Sequence, residues 1–175
     1  MDQIAYLEHR AAMRSGDAIA FSSTGLVSRL IQWRTKSPYN HVGLVIRLEE
    51  VGIDRLFLLQ AHAKQGVYLL PISRYLSQVE GRAWWYPINT TTAEAINPHY
   101  RADILQFSML ALGRPYDFKG IVQFLLPWVK ADESAYFCSE LASDAYRHAK
   151  LASDIFLSPA QLLAQPYFAA PISLI

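Results

Sequence analysis

The only cysteine of the 175-residue chain, Cys138, stands in the run Tyr136-Phe137-Cys138-Ser139-Glu140-Leu141. A thiol nucleophile needs a base to take its proton, and the base needs a group that orients it. Five histidines are available: His9, His41, His62, His99 and His148. Cys138, Leu141, Ala142 and Ala145 fall at i, i+3, i+4 and i+7, one face of a helix. Asp132, Glu133 and Ser134 come just before, where helix starts favour acids and hydroxyls. Cys138 is therefore predicted in the first turn of a helix with a buried face. There the backbone N–H groups and the helix dipole favour a thiolate over a thiol. A buried structural cysteine would give the same pattern, because free Cys is among the most buried residue types.

The base must come from a rigid element that ends near the helix start. His41–Arg47 and Arg55–Ala61 are two β-rich runs, and the polar stretch from Leu48 to Asp54 between them reads as a hairpin loop. Pairing the start of one strand with the end of the next sets His41 opposite Gln60 or its neighbours, with Cβ atoms about 5 Å apart. Gln60 ends an apolar stripe formed with Leu58 and Leu56. Its amide could accept from an imidazole N–H and fix the ring's tautomer. His62 has the same parity and is the rival orienter, and a plain polar strand end is the alternative for Gln60. His9 and His148 read as exposed helix residues, and His99 as part of the turn at Asn97-Pro98.

The remaining elements frame these two. Residues 3–13 read as a short amphipathic helix with Ile4, Leu7 and Ala11 on one face. Asp17–Phe21 reads as a strand. Val27, Leu30, Ile31 and Arg34 give helical spacing up to Lys36, which Ser37-Pro38 ends. Further strands are predicted at Gly66–Leu70 and Arg82–Ile88, with a short helix from Pro71 to Gln78 between them. Asn89–Thr92 is a predicted turn. A helix follows over Pro98–Leu112, closed by Gly113. Gly113–Asp117 is a loop, Phe118–Val129 an apolar segment, and Ser158-Pro159 starts a last helix. The sum is a single α+β domain over residues 1–175, with a small antiparallel sheet mid-chain and helices on either side.

Composition narrows the function. The chain is 52% hydrophobic and 18% charged, far from a disordered profile. A net charge of +1 leaves no electrostatic footprint for nucleic acid. One cysteine excludes a disulfide framework and any CxxC site. No His/Cys/acid spacing suits zinc and no Gly-rich phosphate loop occurs, so neither metal nor cofactor is expected. No apolar run reaches the length of a membrane span. The first ten residues lack a signal-peptide pattern, so a cytoplasmic location is expected, with a phage-delivered or mature form the alternative. Trp84-Trp85-Tyr86 is expected in the core.

Several motifs together resemble a known family. Ser15-Gly16-Asp17 before a strand, Ser37-Pro38-Tyr39-Asn40-His41-Val42-Gly43-Leu44, Gly113-Arg114-Pro115-Tyr116-Asp117, the Cys138 run and Leu157-Ser158-Pro159-Ala160-Gln161-Leu162 occur in its order. The chain is similar to the YiiX-like permuted papain-like amidases or peptidases, relatives of the NlpC-type cell-wall peptidases and the lecithin:retinol acyltransferases. In ordinary papain-like enzymes the cysteine precedes the histidine; here His41 comes first, as circular permutation requires. The resemblance implies a papain-like fold with a nucleophile helix packed on an antiparallel sheet. It implies Cys138 as nucleophile, His41 as base and Gln60 at a third position that is usually acidic in this branch. It also points to Tyr39, Tyr116 and Tyr136 as substrate-binding candidates. The implied activity is hydrolysis of a peptide, peptidoglycan-like or lipid amide through an acyl-enzyme. The alternatives are a lipid-directed thioesterase or acyltransferase, and a weakly active binding domain using the same groove. The sulfur is expected about 3–4 Å from a His41 nitrogen.

Overall fold

Short runs of β-branched and aromatic residues between turns build one antiparallel sheet. β1 (Ala18–Ser23), β2 (His41–Arg47), β3 (Leu56–His62), β4 (Gly66–Pro71), β5 (Gly81–Tyr86) and the two-residue β6 (Ile172–Ser173) lie in the order β4-β3-β2-β1-β5-β6. Every pairing is antiparallel. The computed structural model describes residues 4–49, 52, 54–116, 137–154 and 158–175. The helices among them are α1 (Ile4–His9), α2 (Leu26–Thr35), α3 (Ile72–Gln78), α4 (Thr90–Ile96), α5 (Tyr100–Ala111), α6 (Cys138–His148) and α7 (Pro159–Leu163). The predicted apolar segment at 118–129 lies outside the described residues.

Strand alternation gives the sheet two apolar faces. One face carries Ala18, Ala20, Val42, Leu44, Ile46, Leu59 and Ala61, and packs on Leu141, Ala142, Ala145 and Tyr146 of α6 and Tyr100 and Ile104 of α5. The other carries Ile19, Phe21, Val45, Leu56, Leu58 and Trp85, and packs on Tyr6 of α1 and Ile72 and Leu76 of α3. The predicted α+β domain is thus present, with one strand, β6, beyond the five predicted.

A buried carboxylate fixes where β1 begins. Asp17 is 1% exposed. It accepts from the Arg14 N–H at 2.9 Å, the Trp85 indole at 3.0 Å, the Ile88 N–H at 3.1 Å and Arg101 Nη1 at 3.3 Å. Next to it, the Gly16 carbonyl accepts from the Tyr146 hydroxyl of α6 at 2.8 Å. One turn therefore ties together the first strand, the exit of β5, α5 and the helix that begins at Cys138.

Three local readings differ from the structure. In α1 the buried residue is Tyr6, while Ile4 and Leu7 are 56% and 61% exposed. α1 lies on the sheet through its other side, so the expected apolar face points outward. The predicted turn at Asn89–Thr92 is the start of α4: the Asn89 side chain accepts from the Thr92 N–H at 3.1 Å and caps it. His9 is half-buried against the Trp85 ring at 6.0 Å, not exposed.

The loop after α5 is pinned to the start of β4. The Gly113 N–H donates to the Val67 carbonyl at 2.9 Å, and the Val67 N–H to the Arg114 carbonyl at 2.8 Å. Gly66 has φ +67 and Gly113 φ +81. A Cβ at Gly66 would overlap the Arg114 carbonyl oxygen, whereas a Cβ at Gly113 meets nothing within 4 Å. Gly113→Ala should cost only the left-handed backbone penalty, about 1–2 kcal/mol. Gly66→Ala should cost more, because the pinned backbone must also move. Urea denaturation of the two variants checks the order; equal losses would contradict the close approach at Gly66.

Candidate active site

β2 and β3 part company at the end where His41 lies. Their pairing runs from Arg47↔Leu56 to Leu44↔Leu59 and stops there. His41 pairs instead with Phe21 on β1, and Gln60 with Tyr68 on β4. The predicted direct cross-strand pairing of His41 with Gln60 is therefore absent. The two side chains meet nonetheless, across the gap: His41 Nε2 donates to Gln60 Oε1 at 2.6 Å. Gln60 is fully buried, and its Nε2 donates to the Tyr68 hydroxyl at 2.8 Å. With the amide held this way, His41 keeps its proton on Nε2 and leaves the Nδ1 lone pair available.

Two rings hold the imidazole plane. Phe21 lies 5.7 Å from it, centroid to centroid, and Tyr75 of α3 lies 6.4 Å away; these two rings meet edge-on at 4.9 Å. Burial in this setting pushes the His41 pKa down, against the opposing effect of its hydrogen bond to Gln60. His62, the rival orienter, is exposed at the strand end. It packs on the Tyr68 ring at 6.3 Å and accepts the Lys64 N–H at 3.3 Å.

Cys138 is the first residue of α6, as the spacing predicted. The N-cap is Phe137, which offers no side-chain cap. Asp132, Glu133 and Ser134 lie outside the described residues. The buried sulfur faces backbone N–H groups of Val42, Ser139 and Cys138 itself. Val42 follows His41 directly, so the thiol sits against the start of β2 where pairing to β3 has ended. The helix start was expected to lower the thiol pKa. Burial outweighs the three N–H groups and pushes it up to about 11.

The tyrosines named from the motifs have different surroundings. Tyr39 is half-buried; its hydroxyl accepts from Tyr86 at 2.6 Å and its ring meets Trp84 edge-on at 5.3 Å. Tyr116 is half-buried against the core on the α6 face. Tyr136 lies outside the described residues. Sequence reasoning missed Tyr68, Tyr75 and Phe21. The register of β3 with β4 could have found Tyr68, but no local signal marks Tyr75. A groove of about 350 Å³ opens beside Tyr75, lined also by Ser23, Thr24, Ser28 and Glu80.

Two titrations follow from this geometry. Iodoacetamide labelling of Cys138 in the unliganded protein should show an apparent pKa above the free-thiol value of about 8.5. A curve midpoint well below that would mean a preformed thiolate. The His41 ring, followed by NMR, should titrate below 6.5, the unperturbed value. Between that folded value and 6.5 the unfolded chain binds more protons, so stability should rise with pH across this window. The urea midpoint should therefore fall on acidification below pH 6.5, and less steeply in His41→Asn.

The fold has a solved counterpart. The crystal structure of metalloprotein yiiX from Escherichia coli O157:H7 matches with a TM-score of 0.67 at 18% identity, covering 93% of this chain and 97% of that one. Among curated proteins none matches. The family model for the permuted papain-like amidase enzymes, YaeF/YiiX, C92 family, matches residues 12–170. With nearly the whole chain matched, and a cysteine-led helix laid on a sheet that begins its second strand with histidine, this protein belongs to the permuted papain-like amidase family.

Proposed function

We propose that the chain hydrolyses an amide bond through an acyl-enzyme, with Cys138 as nucleophile, His41 as general base and Gln60 as the orienting group. The observation that carries this reading is the 2.6 Å hydrogen bond from His41 to a fully buried Gln60, one residue from the backbone that faces the Cys138 sulfur. A buried amide spent on holding one imidazole tautomer has a use when the other nitrogen must accept a proton. Family membership supports an amide as the substrate class.

With the thiol pKa raised and the imidazole pKa lowered, the resting pair is neutral. Proton transfer ahead of attack is then uphill, so the proton passes to His41 Nδ1 as the sulfur–carbon bond forms. The Cys138 N–H, at a helix start without a side-chain cap, would turn to the oxyanion and stabilise it. The imidazolium returns its proton to the departing amine as the C–N bond breaks. Water, deprotonated by His41, then cleaves the thioester and restores the thiol. Gln60 accepts throughout from Nε2–H and adds no charge. The Escherichia coli protein is described as a metalloprotein. Among the described residues of this chain no three His, Cys, Asp or Glu side chains gather to hold a metal ion, and no step here passes through one.

The raised thiol pKa also favours a second reading, a groove that binds amide-bearing ligands without turning them over. Turnover of a panel of peptides, peptidoglycan fragments and lipid amides separates the two. Cys138→Ala should abolish hydrolysis. Gln60→Ala should lower kcat by roughly 10- to 100-fold, less than the about 10⁴-fold loss when the orienting carboxylate of a Ser-His-Asp triad is replaced by an amide that holds the wrong tautomer. Full activity in Gln60→Ala with loss in His62→Ala would reassign the orienter. Binding without hydrolysis anywhere in the panel would select the second reading.

A further inference from the structure

α2 is turned inside out. Its half-buried side is mostly polar: Ser28, Gln32 and Thr35 lie there with Ile31, and Gln32 Nε2 donates to the Ser22 hydroxyl at 3.2 Å and the Pro38 carbonyl at 2.7 Å. Its outer side is apolar. Leu26, Leu30 and Trp33 recur at i, i+4 and i+7 and are 88%, 42% and 74% exposed. An ordinary surface helix has the opposite arrangement. A continuous exposed apolar stripe marks a surface that something else covers.

Charge selects the occupant. At about 100° per residue, Arg29 and Arg34 fall on either side of the stripe. Lys36 follows at the helix end. Between Asp17 and Glu49 the sequence has no acidic residue but has Arg29, Arg34, Lys36 and Arg47. Glu80 lines the groove beside Ser28, on the polar side of the helix. An apolar stripe with a tryptophan, edged by guanidinium groups, matches the boundary between acyl chains and anionic headgroups. Arginine can bury its stem there while its charge stays at phosphate level. Among the described residues no helix is long and apolar enough to cross a membrane, so the fit is to lying on a bilayer.

We propose that α2 is an interfacial helix that docks this protein on anionic lipid bilayers, with Leu26, Leu30 and Trp33 inserted and Arg29 and Arg34 at the headgroups. The helix is coupled to the candidate site. Gln32 holds the Pro38 carbonyl, and the Asn40 N–H donates to the Phe21 carbonyl at 3.0 Å just before His41. Docking would bring the His41 end of the sheet to bilayer level, but docking itself does not depend on catalysis.

Co-sedimentation with phosphatidylglycerol/phosphatidylcholine vesicles, against pure phosphatidylcholine, tests it without any turnover. The wild-type protein should partition more than about tenfold better into the anionic vesicles, the effect of two basic residues at a charged surface. Leu30→Ser with Trp33→Ser should cut binding at least tenfold, and Arg29→Glu should remove most of the anionic preference. Trp33→Phe should keep binding but lose most of the blue shift in tryptophan emission. These side chains are exposed, so unchanged thermal melting is expected and confirms that the variants fold. Failure of the wild type to bind either vesicle would overturn the proposal. So would equal binding by the double variant, or a concentration-dependent dimer that Trp33→Ser dissolves, which would assign the stripe to a second copy of the chain.

Discussion

The buried carboxylate of Asp17 is the constraint on which the placement of the site depends. Four donors from three parts of the chain converge on it, and none is close to Cys138 in sequence. Desolvation of such a group costs several kcal/mol, and charge-assisted hydrogen bonds offset it by about 1.5–3 kcal/mol each. The net gain is small, but the arrangement is specific. Burial pushes the Asp17 pKa up, while Arg14, Arg101, Ile88 and Trp85 pull it down. A misplaced β5 or α5 would leave an uncompensated buried charge, which is far more costly than a misplaced apolar side chain. Through Gly16 and Tyr146 the same turn fixes α6, and through β1 it fixes Phe21, against which His41 pairs.

The site itself exists because a ladder is left incomplete. Had β2 and β3 stayed paired, the same register would have set His41 beside His62 and given Val42's N–H a partner on β3. The pairing ends at Leu44↔Leu59, and the Val42 N–H faces the Cys138 sulfur. The cost of lost ladder bonds is met by the side chains that fill the opening. Gln60 joins His41 to Tyr68, and Phe21 and Tyr75 close over the ring. The strand alternation puts His41 with the α3 face and Val42 with the α6 face, so only at a strand end can His41 and the start of α6 be neighbours.

How much of this is legible in the sequence follows from the range of the interactions. β2 and the start of α6 match the local pattern residue for residue, since turn residues and hydrophobic periodicity act over a few positions. Gln60 is legible as the partner of His41 from its place at the end of an apolar stripe, although the two do not pair directly across strands. Tyr75 and Phe21 join the site by tertiary packing and have no local mark. The helical spacing of α2 is legible in the sequence, but periodicity cannot say which side faces inward. Only the polar contacts of Gln32 decide that. β6 is two residues long and depends wholly on β5, so no window of the sequence could reveal it.

The uncharged third residue is consistent with the rest of the site. A carboxylate beside His41 would hold imidazolium and draw the thiol toward a resting ion pair, as in a triad with an acid. Gln60 supplies orientation without that pull, and burial then dominates both partners: down for the imidazole, up for the thiol. Both groups move in the direction that keeps charge out of a site closed by Tyr75, Phe21 and the fully buried Gln60. An ion pair in such surroundings forms only when something polar enters to solvate it. In the proposed reaction, a substrate carbonyl at the start of α6, developing negative charge against the Cys138 N–H, would be such a group. In the proposed reaction, the burial that raises the thiol pKa would thereby reserve the sulfur for a bound acyl group.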